Sequence, residues 1–274
     1  MNGEIAQIIA LTCHGNATLR GMKIPEFFPS NSTCQFCDKV TFVEIAKRFI
    51  GGQRKRPVAD SPDQWFRYLV ETGATGVRLS QSPQSEDSMP DRVLAGFAGG
   101  GGVWTMDALY PSGKAVLWIA NWDVWNQNAS NNKIWRVTYR RVAEKEISSF
   151  SEPDLSKVSE RLLAALTKIR AFSDDHHCGG FTQCFDEGIE SLTTSKRSGY
   201  HKDLAPDNSI PPIAVAILDA CQSAWVFGGM GSWNDMGFDG DDELEYERVS
   251  EQLFDAIADS ISTAATSSFC VAGK

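Results

Sequence analysis

"AVLWIANWDVWNQNASNNKIWRVTYRRV", residues 115–142, decides the fold class. Its second half alternates: Trp135, Val137 and Tyr139 fall on one side, and Arg136, Thr138 and Arg140 on the other, the period of a half-buried strand. The first half, Ala115–Trp125, reads as a second strand, with Trp118 and Trp122 on one face and Trp125 on the other. The polar run Asn126–Lys133 is the loop between them. Working upstream, "YPSGK" (110–114) is a turn, "VWTMDAL" (103–109) a strand, "RVLAGFA" (92–98) a strand running into Gly99–Gly102, and "GVRLS" (76–80) a further strand. Consecutive strands with short connections favour an antiparallel meander over about 76–142. The glycine quartet lacks the Lys-Ser/Thr of a phosphate loop and the helix that such a loop opens, so it reads as a hairpin loop or bulge.

Both flanks carry helical patterns. "TFVEIAKRFI" (41–50) places Phe42, Ile45, Ala46 and Phe49 on one helical face with Lys47 and Arg48 outside, stopped by Gly51-Gly52. Arg54-Lys55-Arg56 follows as an exposed loop. "SPDQWFRYLV" (61–70) has Ser61 as N-cap, Pro62 at the first helical position, and Trp65, Phe66 and Leu69 on one side. Beyond residue 150, Pro153-Asp154 opens a helix with Leu155, Val158, Leu162, Leu166, Ile169 and Phe172 on one stripe, and a shorter helix covers about 180–193. "IAVAILDACQSAWVF" (213–227), started by Pro211-Pro212, is apolar nearly all round and is expected to be the buried central helix. Its end near Phe227 makes Gly228 and Gly229 a helix stop that brings Trp225 and Trp233 together. A last helix over about 242–265 turns Val249, Leu253, Ile257 and Ile261 inward. The expected architecture is α+β: an antiparallel meander packed with N-terminal helices and a C-terminal, bundle-like helical half. It forms one domain over 1–274, with 1–150 (mixed, β-rich) and 151–274 (helical) as the natural subdivision.

Charge is unevenly divided. Residues 1–150 hold 17 Lys/Arg and 14 Asp/Glu, whereas residues 151–274 hold 9 and 21, giving the overall −9. An acidic half repels nucleic acid and anionic lipid and attracts a basic partner or a cation. Six acids crowd Asp239–Glu247 at the start of the last helix, where negative charge also suits the helix dipole. No segment has the 18 or more apolar residues of a membrane span. Glu4 precedes Ile5–Leu11 in place of a basic leader region, so a cytoplasmic protein is expected. Seven cysteines in a chain of 274 residues argue for free thiols.

Beside the glycine quartet, four constellations could carry chemistry. Cys34-Gln-Phe-Cys37 with His176, Cys178 and Cys184 would make a structural zinc site, but only by folding across about 140 residues, and a second clean ligand pair is missing. No thioredoxin-like pattern surrounds the Cys-x-x-Cys. For hydrolysis, Cys13, His14, His201, Asp203 and Asp235 are the candidate residues, and "GMGSW" lacks the closing glycine of a nucleophile elbow. "NDMGFDGDDELE" fails the calcium-loop register, with Gly237 and Tyr246 where ligands belong. An aromatic platform for single strands would need a basic groove, and Lys133, Arg136, Arg140 and Arg141 offer a small one.

The function expected first is therefore non-enzymatic: a bacterial cytosolic binding protein that offers an acidic surface to a basic protein partner, as immunity proteins and antitoxins do. Asp239, Asp241, Asp242, Glu243, Glu245, Glu247 and Trp233 would form the surface, without a cofactor. The alternatives are a hydrolase of unfamiliar type, with a cleft between sheet and helices, and a zinc-stabilised structural module. Membrane and nucleic-acid partners are not expected.

Overall fold

The structure, a computed structural model, describes residues 1–47, 53–84, 89–147 and 152–270. The fold is α+β. Four of the five strands expected in the meander form: β3 (Gly76–Ser82), β4 (Val103–Leu109), β5 (Lys114–Val124) and β6 (Trp135–Glu146) pair antiparallel in sequence order. The sheet then continues past the meander. β6 pairs in parallel with β1 (Cys37–Lys47), which pairs antiparallel with β2 (Gln53–Ala59), giving the order β2-β1-β6-β5-β4-β3.

β1 corrects the helix expected over 41–50. Thr41, Val43 and Ile45 are β-branched and alternate with Phe42, whose ring is stacked on Trp65 at 4.7 Å and on Tyr139 at 5.1 Å. Packing against two aromatic rings outweighs a helical pattern that the same residues also satisfy. Arg48, Phe49, Gly51 and Gly52 lie outside the described residues. Arg54-Lys55-Arg56 is likewise part of β2 and not a loop. The segment expected as a strand at 92–98 is instead one short helix, α3 (Asp91–Leu94), which carries the Arg92 side chain inward to 2% exposure.

One face of the sheet is covered by α1 (Gly3–Leu19), α2 (Pro62–Glu71) and α7 (Asp241–Cys270). α2 starts as its sequence requires, with the Ser61 hydroxyl accepting from Gln64 N and Pro62 in the first turn. α1 is the most enclosed helix, buried from Ile5 to Ala17, because α2, β3 and α7 all pack on it. Its polar residues find defined partners. Asn16 Nδ2 donates to the Val77 carbonyl at 2.8 Å and Asn16 Oδ1 accepts from Val77 N at 2.7 Å. Thr266 of α7 does the same for Leu79 through one hydroxyl. Two side chains thus occupy the outer edge of β3, which would otherwise offer unpaired peptide groups to another chain.

The second layer holds α4 (Leu155–Asp175) and α6 (Pro212–Ser223) against α7, with α5 (Gly179–Thr194) packed on α4 and α6. Val249, Leu253, Ile257 and Ile261 of α7 all face inward, as their spacing implies. α6 ends at Ser223, four residues before the expected stop, so Gly228 and Gly229 are not its cap. The backbone of Gly228 instead lies against Gly96, where the side chain must be absent: a Cβ on Gly96 would lie 2.3 Å from the Gly228 carbonyl oxygen. Trp225 and Trp233 belong to separate aromatic groups. Trp225 meets Phe227 and Phe254, whereas Trp233 meets Phe172, Phe181, Phe185 and Tyr246.

Candidate functional site

Two regions gather the residues that chemistry would use. The first is the solvent face of α7. Of the acids at its head, Glu243 accepts from Phe238 N at 2.9 Å and Glu245 grips Arg248, so both are engaged locally. Asp242 lies 3.4 Å from His176 Nε2. Because His176 Nδ1 faces the Phe172 carbonyl at 2.9 Å, and the second nitrogen faces a carboxylate, the imidazole pKa is raised, first by the Phe172 hydrogen bond and then by Asp242. Asp239 and Asp241 are exposed. Trp233, read in the sequence as a surface residue, is fully buried with Nε1 donating to Ser250 at 2.7 Å, so it cannot meet a partner.

The acidic run does not stop at Glu247. Glu247, Glu251, Asp255 and Asp259 follow one another at four-residue spacing, which places them on one helical face, and Asp91 of α3 stands beside them. Two cations oppose them. Arg92 binds Glu247 and lies 3.3 Å from Glu251, and Arg161 binds Asp259. Within this group, five carboxylates stand against two guanidiniums, and Arg78 and Lys157 line the same groove as Arg161 and Asp259. The Glu251 carboxyl is held above its usual pKa by partial burial and then by Asp255. Asp255 is raised by partial burial and then by Asp259 and Asp91.

The second region joins the loop before β1 to the loop before α6. Three of the five hydrolase candidates meet there. The Asp203 carboxylate accepts from Ser32 N at 2.7 Å and from the Ser32 hydroxyl. The Asp203 carbonyl accepts from Asn31 Nδ2 at 2.9 Å and from His14 Nε2 at 3.1 Å. His201 Nδ1 lies 2.7 Å from Ser32 Oγ. Since the one Ser32 proton goes to the carboxylate, His201 Nδ1 must donate, which leaves Nε2 as an unprotonated acceptor. Ser32, which the sequence did not single out, is thus the hub. Its signal is the polar turn Asn31-Ser32-Thr33, where Asn31 Oδ1 accepts from Thr33 N at 3.0 Å.

The other candidates are elsewhere. Cys13 neighbours His14 in sequence but faces α7, with Sγ 4.0 Å from the Ala265 carbonyl, and burial pushes its thiol up to about 12, away from the thiolate form that a nucleophile needs. Asp235 accepts from Gly231 N within its own turn. Cys34 and Cys37 do come together, under Gln7 Nε2 at 3.7 and 3.5 Å, and burial raises their thiols to about 12 and about 11. His176, Cys178 and Cys184 sit apart from them on α4 and α5 and their junction, and among the described residues no group of three or more His, Cys, Asp or Glu side chains is placed to hold a metal ion. The Gly99 amide donates to the Glu4 carboxylate at 3.0 Å, so that loop already holds an anion of its own. Three of the four basic-groove residues are engaged: Arg136 with Asp38 and over the Trp125 ring, Arg141 with Glu44 and Glu144, Lys133 with the Cys34 carbonyl. Among the described residues no helix is long and apolar enough to cross a membrane.

Compared with known proteins, the chain matches no family model, no curated protein and no solved structure.

Proposed function

We propose that this chain is a cytosolic binding protein that presents the solvent face of α7 to a basic protein partner, in the manner of an immunity protein or antitoxin. The observation that carries the reading is the run Glu247, Glu251, Asp255, Asp259 with Asp91 at its side, in which Glu251 and Asp255 are held above their usual pKa by burial and by their neighbours. Like charges kept close on one rigid helix cost the free protein stability. A cationic partner relieves that cost, and the same field steers its approach. Leu244, 70% exposed at the head of the same helix, supplies an apolar anchor of the kind that the centre of an interface uses.

The reading moves the binding surface along α7 from the head of the helix toward its middle. Asp239 and Asp241 remain part of it, Glu243 and Glu245 are occupied at home, and Trp233 drops out. The test is capture from a lysate of the native source by wild-type protein and by the double reversal Glu251→Lys/Asp255→Lys. Wild type should retain a basic protein at about 0.05 M salt and release it at about 0.5 M, where the screening length falls to a few ångströms. The double variant should capture none of it at either salt. Capture that is indifferent both to salt and to the reversal would remove the proposal.

A further inference from the structure

Residues 195–211 pass over one face of α6 and form with it a partly open pocket of about 120 Å³. Leu204, Ile210, Val215 and Leu218 make its apolar wall, and His201, 8% exposed, lines it at the polar end. His201 is fixed from two directions. Its peptide is clamped by the Gln222 side chain, with His201 N donating to Oε1 at 2.8 Å and Nε2 of Gln222 donating to the His201 carbonyl at 3.3 Å. Its ring is held by Ser32, backed by Asp203. Gly199 permits this packing, because a Cβ there would lie 2.1 Å from Gln222 Nε2 and 2.6 Å from Asp219 Oδ1. Nε2 of His201 meets no hydrogen-bonding atom among the described residues, and burial lowers the imidazole pKa, so the ring is neutral and the acceptor is free at neutral pH.

The charges around the cavity cancel. Arg197 is bound to buried Asp219, and Lys202 Nζ is tied to the Arg197 carbonyl at 2.9 Å, with Asp207 nearby on the lining. No net field selects an anion or a cation. What remains is an apolar wall beside His201, whose Nε2 is an acceptor without a hydrogen-bond partner among the described residues, with Asp207 and Asn208 on the exposed side of the lining. A cavity of roughly 150 Å³ with apolar walls holds benzene, which sets the size of ligand to consider.

We infer that this cavity binds a small neutral compound with an apolar body and one hydroxyl group, whose O–H donates to Nε2 of His201. The Asp203–Ser32–His201 chain then serves to keep that nitrogen unprotonated and aimed.

Phenol is the probe, and imidazole ¹⁵N NMR of the full chain is the readout. In the free protein, His201 should show a protonated Nδ1 and an unprotonated Nε2. Phenol should shift the Nε2 resonance saturably, with a Kd on the order of 1 mM for a ligand of this size. Benzene should leave that resonance in place, a comparison that requires no variant. Val215→Phe, at a partly exposed lining position, should abolish the phenol shift and keep the tautomer. Ser32→Ala should mix the tautomers and weaken phenol binding. A protonated Nε2 in the wild type, no saturable phenol shift, an equal shift with benzene, or a phenol shift that survives Val215→Phe would each overturn the inference.

Discussion

His14 and His201 illustrate how much the surroundings of one residue type decide. Both were candidates by type alone, and both are buried with pKa values lowered from 6.5, chiefly by desolvation. His14 Nε2 faces a carbonyl and must donate, so its Nδ1 is an acceptor, and that atom is buried without a partner. Such an orphan costs about 1–3 kcal/mol, which marks His14 as a packing residue against Phe27 and Phe66. The pH consequence has a definite sign. The unfolded chain takes up protons at these histidines below about pH 6.5 and the folded chain resists, so their contribution is intact above 6.5 and is lost as pH falls below it. Urea unfolding at pH 7.5 and at pH 5 should show a smaller loss for His14→Gln than for wild type. Equal losses would mean that His14 is protonated as easily in the fold as out of it. The histidines stand out in the sequence because the chain has only four of them, and Asp203 because it lies two residues from His201. Ser32 does not stand out because serine is common, and its significance lies in two partners about 170 residues away.

At the scale of elements, β1 departs from its expected helix because a local pattern admits two conformations until a distant surface selects one, whereas α7 forms as its spacing implies. Phe42, Ile45 and Ala46 satisfy a helical period, but Phe42 alternating with Val43 also satisfies a strand, and the Trp65 and Tyr139 rings choose the strand. The parallel β1–β6 pairing joins residues nearly a hundred apart and leaves no local trace. On α7, the dense cluster Asp239–Glu247 stands out in the sequence, whereas its continuation through Glu251, Asp255 and Asp259 at four-residue spacing emerges only on the helix face. That continuation predicts a trade between stability and binding. Glu251→Gln and Asp255→Asn should each raise the unfolding free energy of the isolated protein, by about 0.5 kcal/mol as for other exposed charge pairs, while weakening partner capture. Destabilisation by both would show that the carboxylates are held for the fold and not for a partner.

For the molecule as a whole, the meander was legible because its strands pair in sequence order and β4, β5 and β6 follow one another across short connections. The N-terminal half was less so, because its strands attach to the far end of that meander. One buried cluster includes residues of α1, the sheet and the C-terminal helices together, centred on Phe42, Trp65, Trp118 and Tyr139 under α1. Trp118 is fully buried at that centre, so Trp118→Ala should cost about 3–5 kcal/mol. Its thermal unfolding should move the sheet and helix signals together. Separate transitions would divide the chain near residue 150, the boundary between its near-neutral and acidic parts.

The claim that joins these scales is that the uncompensated charge of α7 guides a basic partner. Its most direct measurement is the association rate constant with the purified partner at two ionic strengths, for wild type and for Glu251→Lys/Asp255→Lys. Electrostatic steering predicts a wild-type rate that falls about tenfold or more between low and high salt, with little change in dissociation, and a double variant that is slow at both. An association rate that does not depend on salt, or that the reversal leaves unaltered, would contradict the account.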